Sequence, residues 1–129
     1  MSNYIIDAYA WVEYFNGSKS GEAVKEIIEN PKNFIFTNII TVSELASSYK
    51  KKSLSFEEEK KSLLTLSKIY YIDFEFAIET GELHANTKKD RKHISLADIF
   101  VLLTAKKLNA KVVTGDEDFR GLKEALMIK

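Results

Sequence analysis

Four carboxylates stand where a folded chain could gather them. Asp7 closes the apolar run YIID, Glu44 lies inside TVSEL, Asp98 inside SLAD, and Asp116 follows KVVTG. Four such charges cannot coexist bare. Two of them about 4 Å apart repel by about 4 kcal/mol at an effective dielectric near 20, so a cluster takes up protons or recruits a cation. An all-oxygen donor set without histidine or thiolate selects hard ions, Mg2+ or Mn2+, over zinc. Such ions bind phosphate and polarise a phosphoryl oxygen, so the chemistry this set suggests is hydrolysis of a phosphate ester.

Each acid taken singly also fits a structural role. TVSE (41–44) and SLAD (95–98) fit or nearly fit the capping-box pattern, in which the acid bonds back to the start of its helix. SFEE (55–58) fits it too and is assigned no chemistry. Asp7 and Asp116 suit the N-cap position of a following helix. Spacing alone does not choose between capping and catalysis.

The elements that must position these acids follow from periodicity. Short apolar runs predict strands over 4–7, 34–38, 70–74 and 110–115, with a short fifth at 125–129. Helical spacing covers 8–15, 20–30, 41–52, 55–69, 75–89 and 95–109. Gly17 closes the first helix, and Ser18 or Ser20 caps the second. Alternating strands and helices predict an α/β fold with a central parallel sheet of four to five strands flanked by helices. Ligands of such sheets sit beyond the carboxyl ends of the strands. Asp7 and Asp116 fall at strand ends, and Glu44 and Asp98 fall in first helical turns, so all four can face one edge.

A chain of 129 residues is the size of a single domain, 1–129, and 45% hydrophobic residues supply a core. The absence of cysteine excludes disulfides, thiolate zinc sites and a cysteine nucleophile, and it suits a reducing cytoplasm. MSNYIIDAYAWV has no secretory pattern, and no run of about 18 apolar residues predicts a membrane span. Nineteen basic and nineteen acidic residues cancel, which argues against coating nucleic acid by bulk charge but leaves room for a local basic patch. Neither GxGxxG nor GxxxxGK is present, so no nucleotide cofactor is expected.

Taken together, YIIDAYAWVEYF, TVSELASSY and ISLADIFVLLTAKKLNAKVVTGDEDF resemble a PIN domain of the VapC toxin type. The resemblance runs over nearly the whole chain in the right order, and its most specific part is an acid opening an apolar helix, then a strand, then TGDEDF. It implies a three-layer fold and a metal-dependent endoribonuclease whose acids hold one or two divalent ions. By position, those acids are Asp7, Glu44, Asp98 and Asp116. Thr114 takes the place of the hydroxyl residue that precedes the last acid by two. Asp118 is a lesser candidate, acting through water or as a helix cap. Many relatives carry serine or threonine two residues after the first acid, where this chain has Tyr9. The resemblance further implies an RNA substrate cut to 5′-phosphate and 3′-hydroxyl ends, an antitoxin protein as partner, and a homodimer.

Lys88, Lys89, Arg91 and Lys92, in KKDRKH, could hold RNA phosphates beside the acids, or form a solvated loop. His84 and His93 lack a ligand partner at metal spacing. Trp11, Tyr14 and Phe15 are spaced as a core face. Tyr49 and the leucines of 55–69 are assigned first to core packing. Two other functions compete. One is a PIN-like module that binds RNA or protein without cutting. The other is a doubly wound phosphatase, which the lone acid of DAY after the first strand disfavours.

Overall fold

The computed structural model describes residues 2–129. Five strands form one parallel sheet: β1 (Ser2–Ile6), β2 (Asn33–Asn38), β3 (Lys68–Tyr70), β4 (Lys111–Thr114) and β5 (Ala125–Met127), in the order β3-β2-β1-β4-β5. Six helices connect them: α1 (Ala8–Asn16), α2 (Lys19–Ile28), α3 (Ile39–Lys51), α4 (Glu57–Leu66), α5 (Phe74–Thr87) and α6 (Leu96–Leu108). The order reverses at β1, so the crevice of this doubly wound sheet opens between β1 and β4.

Strand alternation divides the core in two. Ile5 and Val112 point to the face covered by α6, where they meet Ile99, Leu102, Ala105 and Phe119. Ile6, Val113 and Ile35 point to the other face and pack on Trp11, Val24, Leu45 and Leu63 from α1, α2, α3 and α4. Trp11 is fully buried, stacks on Phe15 and donates from Nε1 to Thr37 Oγ1 at 3.1 Å. Tyr49 and Leu63 are core, as assigned, whereas Leu64 is exposed.

Several boundaries and caps differ from expectation. The third strand is Lys68–Tyr70, not 70–74. Tyr71 lies open to solvent, and Asp73 turns away from the sheet to cap α5 by accepting from Phe76 N at 2.9 Å. Helix α4 ends at Leu66 because Ser67 leaves the helical path; its hydroxyl donates to Leu63 O and lies 2.7 Å from Thr37 Oγ1. SFEE does not form a capping box: Phe56 holds the N-cap position without a side-chain bond. Of the two candidate caps for α2, Ser18 is the one used, accepting from Gly21 N.

Candidate acidic site

Register brings the first and last acids together. Ile6 pairs with Val113, and Asp7 N donates to Val113 O at 3.2 Å. Asp7 therefore leaves β1 beside Thr114, the last residue of β4. Asp116 follows two residues later, at the head of a 3-10 turn over Glu117–Phe119. The turn is anchored by Phe119, fully buried under α6.

Helix α3 carries Glu44, but not as a cap. It begins at Ile39, two residues earlier than predicted, because Asn38 is its N-cap and accepts from Ile40 N at 2.8 Å. The TVSE capping box is thus not formed, and Glu44 projects from the second turn with its carboxylate at the exposed rim. Asn38 was missed as a positioning residue. Its Nδ2 also donates to Thr104 Oγ1 at 2.8 Å, tying the start of α3 to α6. An asparagine at the end of a strand is a strong N-cap signal and was legible as one.

Helix α6 carries Asp98 within a true capping box. Asp98 N donates to Ser95 Oγ, and Ser95 N donates to Asp98 Oδ2, both at 3.0 Å. Asp7 and Asp116 cap as well: Asp7 Oδ1 accepts from Ala10 N at 2.8 Å, and Asp116 Oδ1 from Asp118 N at 2.9 Å. Capping and clustering are therefore not alternatives. A carboxylate has two oxygens, and one local bond fixes its orientation while leaving further acceptor capacity.

Asp98, Asp116 and Asp118 each offer a carboxylate oxygen, and these atoms lie within 4.8 Å of one another. This half-buried trio includes Asp118, which sequence reasoning ranked below Asp7 and Glu44. Those two lie close enough to feel the same charges. Asp7 is raised from 3.8 to about 7, first by burial and further by Asp116 and Asp98; the Thr114 hydroxyl and the Ala10 amide favour its ionised form and oppose the rise. Glu44 is pushed up by desolvation and by Asp98 and Asp116. Asp98 is pushed up by burial, then by Asp116 and Asp118, against the bonds from Ser95. No ion pair among the described residues involves any of the five acids. The donor set, all carboxylate and without a cationic partner, fits a hard divalent ion.

Tyr9 packs its ring over Gly115, where an added Cβ would stand 2.3 Å from Cε1. Lys129 Nζ sits 4.7 Å above the same ring. Between α1 and α3 a groove of about 430 Å³, lined by Tyr9, Val12, Ser48 and Lys52, runs up to Glu44. On the other side, Arg91 and Lys92 share a cleft with Glu117 and Asp118. Lys88, Lys89 and Lys92 are exposed. Arg91 differs: its Nη1 donates to two backbone carbonyls, Asp118 O at 3.0 Å and Arg120 O at 2.8 Å. His84 Nε2 is set 3.3 Å from Ile94 O.

An acid-lined crevice at the reversal point of a three-layer parallel sheet is the arrangement of a PIN domain. Residues 4–125 match the PIN domain family, and the chain belongs to it. No curated protein matches it in sequence. Among solved structures, its fold is similar to a toxin–antitoxin complex from Klebsiella pneumoniae, with a TM-score of 0.74 at 22% identity over 98% of each chain. VapBC2 from Rickettsia felis, bound to a DNA fragment from its promoter, gives 0.70 at 19% identity over 97% of this chain and 96% of that one. The sarcin–ricin loop cleaving toxin VapC20 of Mycobacterium tuberculosis gives 0.73 at 13% identity over 93% and 95%.

Proposed function

We propose that this protein is a Mg2+- or Mn2+-dependent endoribonuclease and the toxin of a type II toxin–antitoxin pair. The observation that carries the reading is the set of five acids without cationic partners, converging from four separate elements on one crevice. Membership of the PIN family and the likeness to VapC-type folds support it. Asp98, Asp116 and Asp118 would hold the ion, with Asp7 and Glu44 completing the shell or admitting a second. When bound, the ion neutralises phosphoryl charge and makes water a competent nucleophile at neutral pH.

The chain's own residues prepare that chemistry. Ser95 N, Ala10 N and Asp118 N donate to the Asp98, Asp7 and Asp116 carboxylates and fix their orientation before anything binds. Asp7, held largely protonated by its burial below about pH 7, would have to be deprotonated to serve as an ion ligand, so ion uptake would depend on pH. Lys52 lines the groove beside Glu44, while Arg91 and Lys92 line the opposite cleft, so cations flank the acids on both sides for an RNA backbone. An antitoxin whose tail covers the crevice would silence it, and the active protein would be a homodimer.

The test is cleavage of RNA oligonucleotides during a Mn2+ titration, with end-group analysis. Asp7→Asn and Asp118→Asn should each reduce cleavage at least 100-fold while leaving the fold intact. Products should carry 5′-phosphates. Cleavage that persists in EDTA, or at the wild-type rate in Asp7→Asn, would refute the assignment. RNA binding with no cleavage at any ion concentration would make the protein a silent binding module.

A further inference from the structure

We propose that Arg91 is a positioning residue for the acidic site, clamping the turn that carries Asp116 and Asp118. The inference rests on the nuclease reading above. The 3-10 turn is only three residues long, and it closes on itself through Phe119 N to Asp116 O and Arg120 N to Glu117 O. So short a turn has little cooperative stability of its own. Two carbonyls, Asp118 O and Arg120 O, face away from it. Among the described residues Arg91 Nη1 is the donor that both accept from, across 27 and 29 positions of sequence.

The surroundings are shaped to this contact. Gly121 follows the turn at φ +91, and a Cβ there would come within 3.2 Å of Arg91 Nη2. The glycine therefore meets both the left-handed backbone and the space the guanidinium needs. Arg91 is itself held at the end of α5 by its N–H to Thr87 O, and Ile94 N returns to Arg91 O. Ile94 is fully buried, and the next residue, Ser95, caps α6 and orients Asp98. A segment of five residues thus links the guanidinium that holds the Asp118 carbonyl to the Ser95 N–H that bonds Asp98 Oδ2. Arg91 holds the spacing between the two halves of the trio. This separates it from its exposed neighbours Lys88, Lys89 and Lys92, which hold no such bonds and remain candidates for RNA contact.

The experiment compares Mn2+ affinity by calorimetry, amide hydrogen exchange at Phe119 and Arg120, and steady-state cleavage in wild type, Arg91→Ala and Arg91→Lys. Groups that orient metal ligands change metal affinity or activity by about 10–100-fold, so Arg91→Ala should lose at least tenfold in Mn2+ affinity. Its kcat should fall while KM for RNA and the salt dependence of binding stay unchanged. Exchange at the two amides should quicken in the ion-free protein. Lysine keeps a charged donor and should restore part of the affinity; this variant decides the matter if the alanine form does not fold. Unchanged Mn2+ affinity and exchange in both variants would overturn the inference. So would a raised KM with a shallower salt slope, which would make Arg91 a phosphate contact. A wild type that binds no Mn2+ would instead remove the nuclease reading, and the inference with it.

Discussion

Asp7→Asn should abolish cleavage and, in ion-free protein, make the fold more stable. Asp7 is only 7% exposed, and burial raises its pKa from 3.8 to about 7. At about 1.4 kcal/mol per decade, ionising it in the fold is harder than in the unfolded chain by about 4 kcal/mol. The folded protein keeps this proton where the unfolded chain has lost it. Stability is therefore greatest below the unfolded value near 4 and falls as pH rises to 7. Asparagine removes that dependence yet keeps the cap, since its side-chain oxygen still accepts from Ala10 N. At pH 8 in EDTA the variant should be more stable than wild type by up to about 4 kcal/mol; at pH 5 the gap should narrow to less than half of that. Urea unfolding followed by the fluorescence of the one tryptophan, Trp11, reads this directly. Mg2+ should stabilise wild type far more than the variant. A variant no more stable than wild type at pH 8, or a gap that ignores pH, would refute the claim that Asp7 is held charged against its surroundings.

Reversing Lys88, Lys89 and Lys92 to glutamate should weaken RNA binding in fluorescence anisotropy and flatten its salt dependence by about 0.7 in log–log slope per lost phosphate contact; an unchanged slope would return these lysines to solvent. Gly115→Ala should destabilise by about 1–3 kcal/mol, the range for an overpacked site, because the new Cβ would overlap the Tyr9 ring. Adding Tyr9→Ser should restore most of that loss in thermal unfolding, and failure of the rescue would mean the clash lies elsewhere.

The layers of the fold and the edge that gathers the acids were legible in alternation alone, because YIID and KVVTG are unambiguous buried strands. Two things were not. Spacing put capping in competition with clustering at Asp7, Asp98 and Asp116, whereas the three residues do both. Only coordinates show where the second oxygen of each carboxylate is free to point. Asp118 was undervalued because its contact with Asp98 depends on how the 3-10 turn curls, a matter of φ and ψ that DEDF does not state. Arg91 looked like one of four cations in a basic loop, and nothing local distinguishes it; its partners lie nearly thirty residues downstream. The third strand slipped because Tyr-Tyr-Ile satisfies strand propensity over 70–72, but the cap made by Asp73 ends the sheet earlier.

The central place of β1 has one more effect. Its two neighbours come from opposite ends of the polypeptide, with Ile5 beside Phe36 on one side and beside Val112 on the other. During translation the first thirty-eight residues can already pair, yet the crevice stays half-walled until residues 111–119 emerge. The acid-lined crevice is therefore completed late in synthesis, only as the last segment folds into place beside β1.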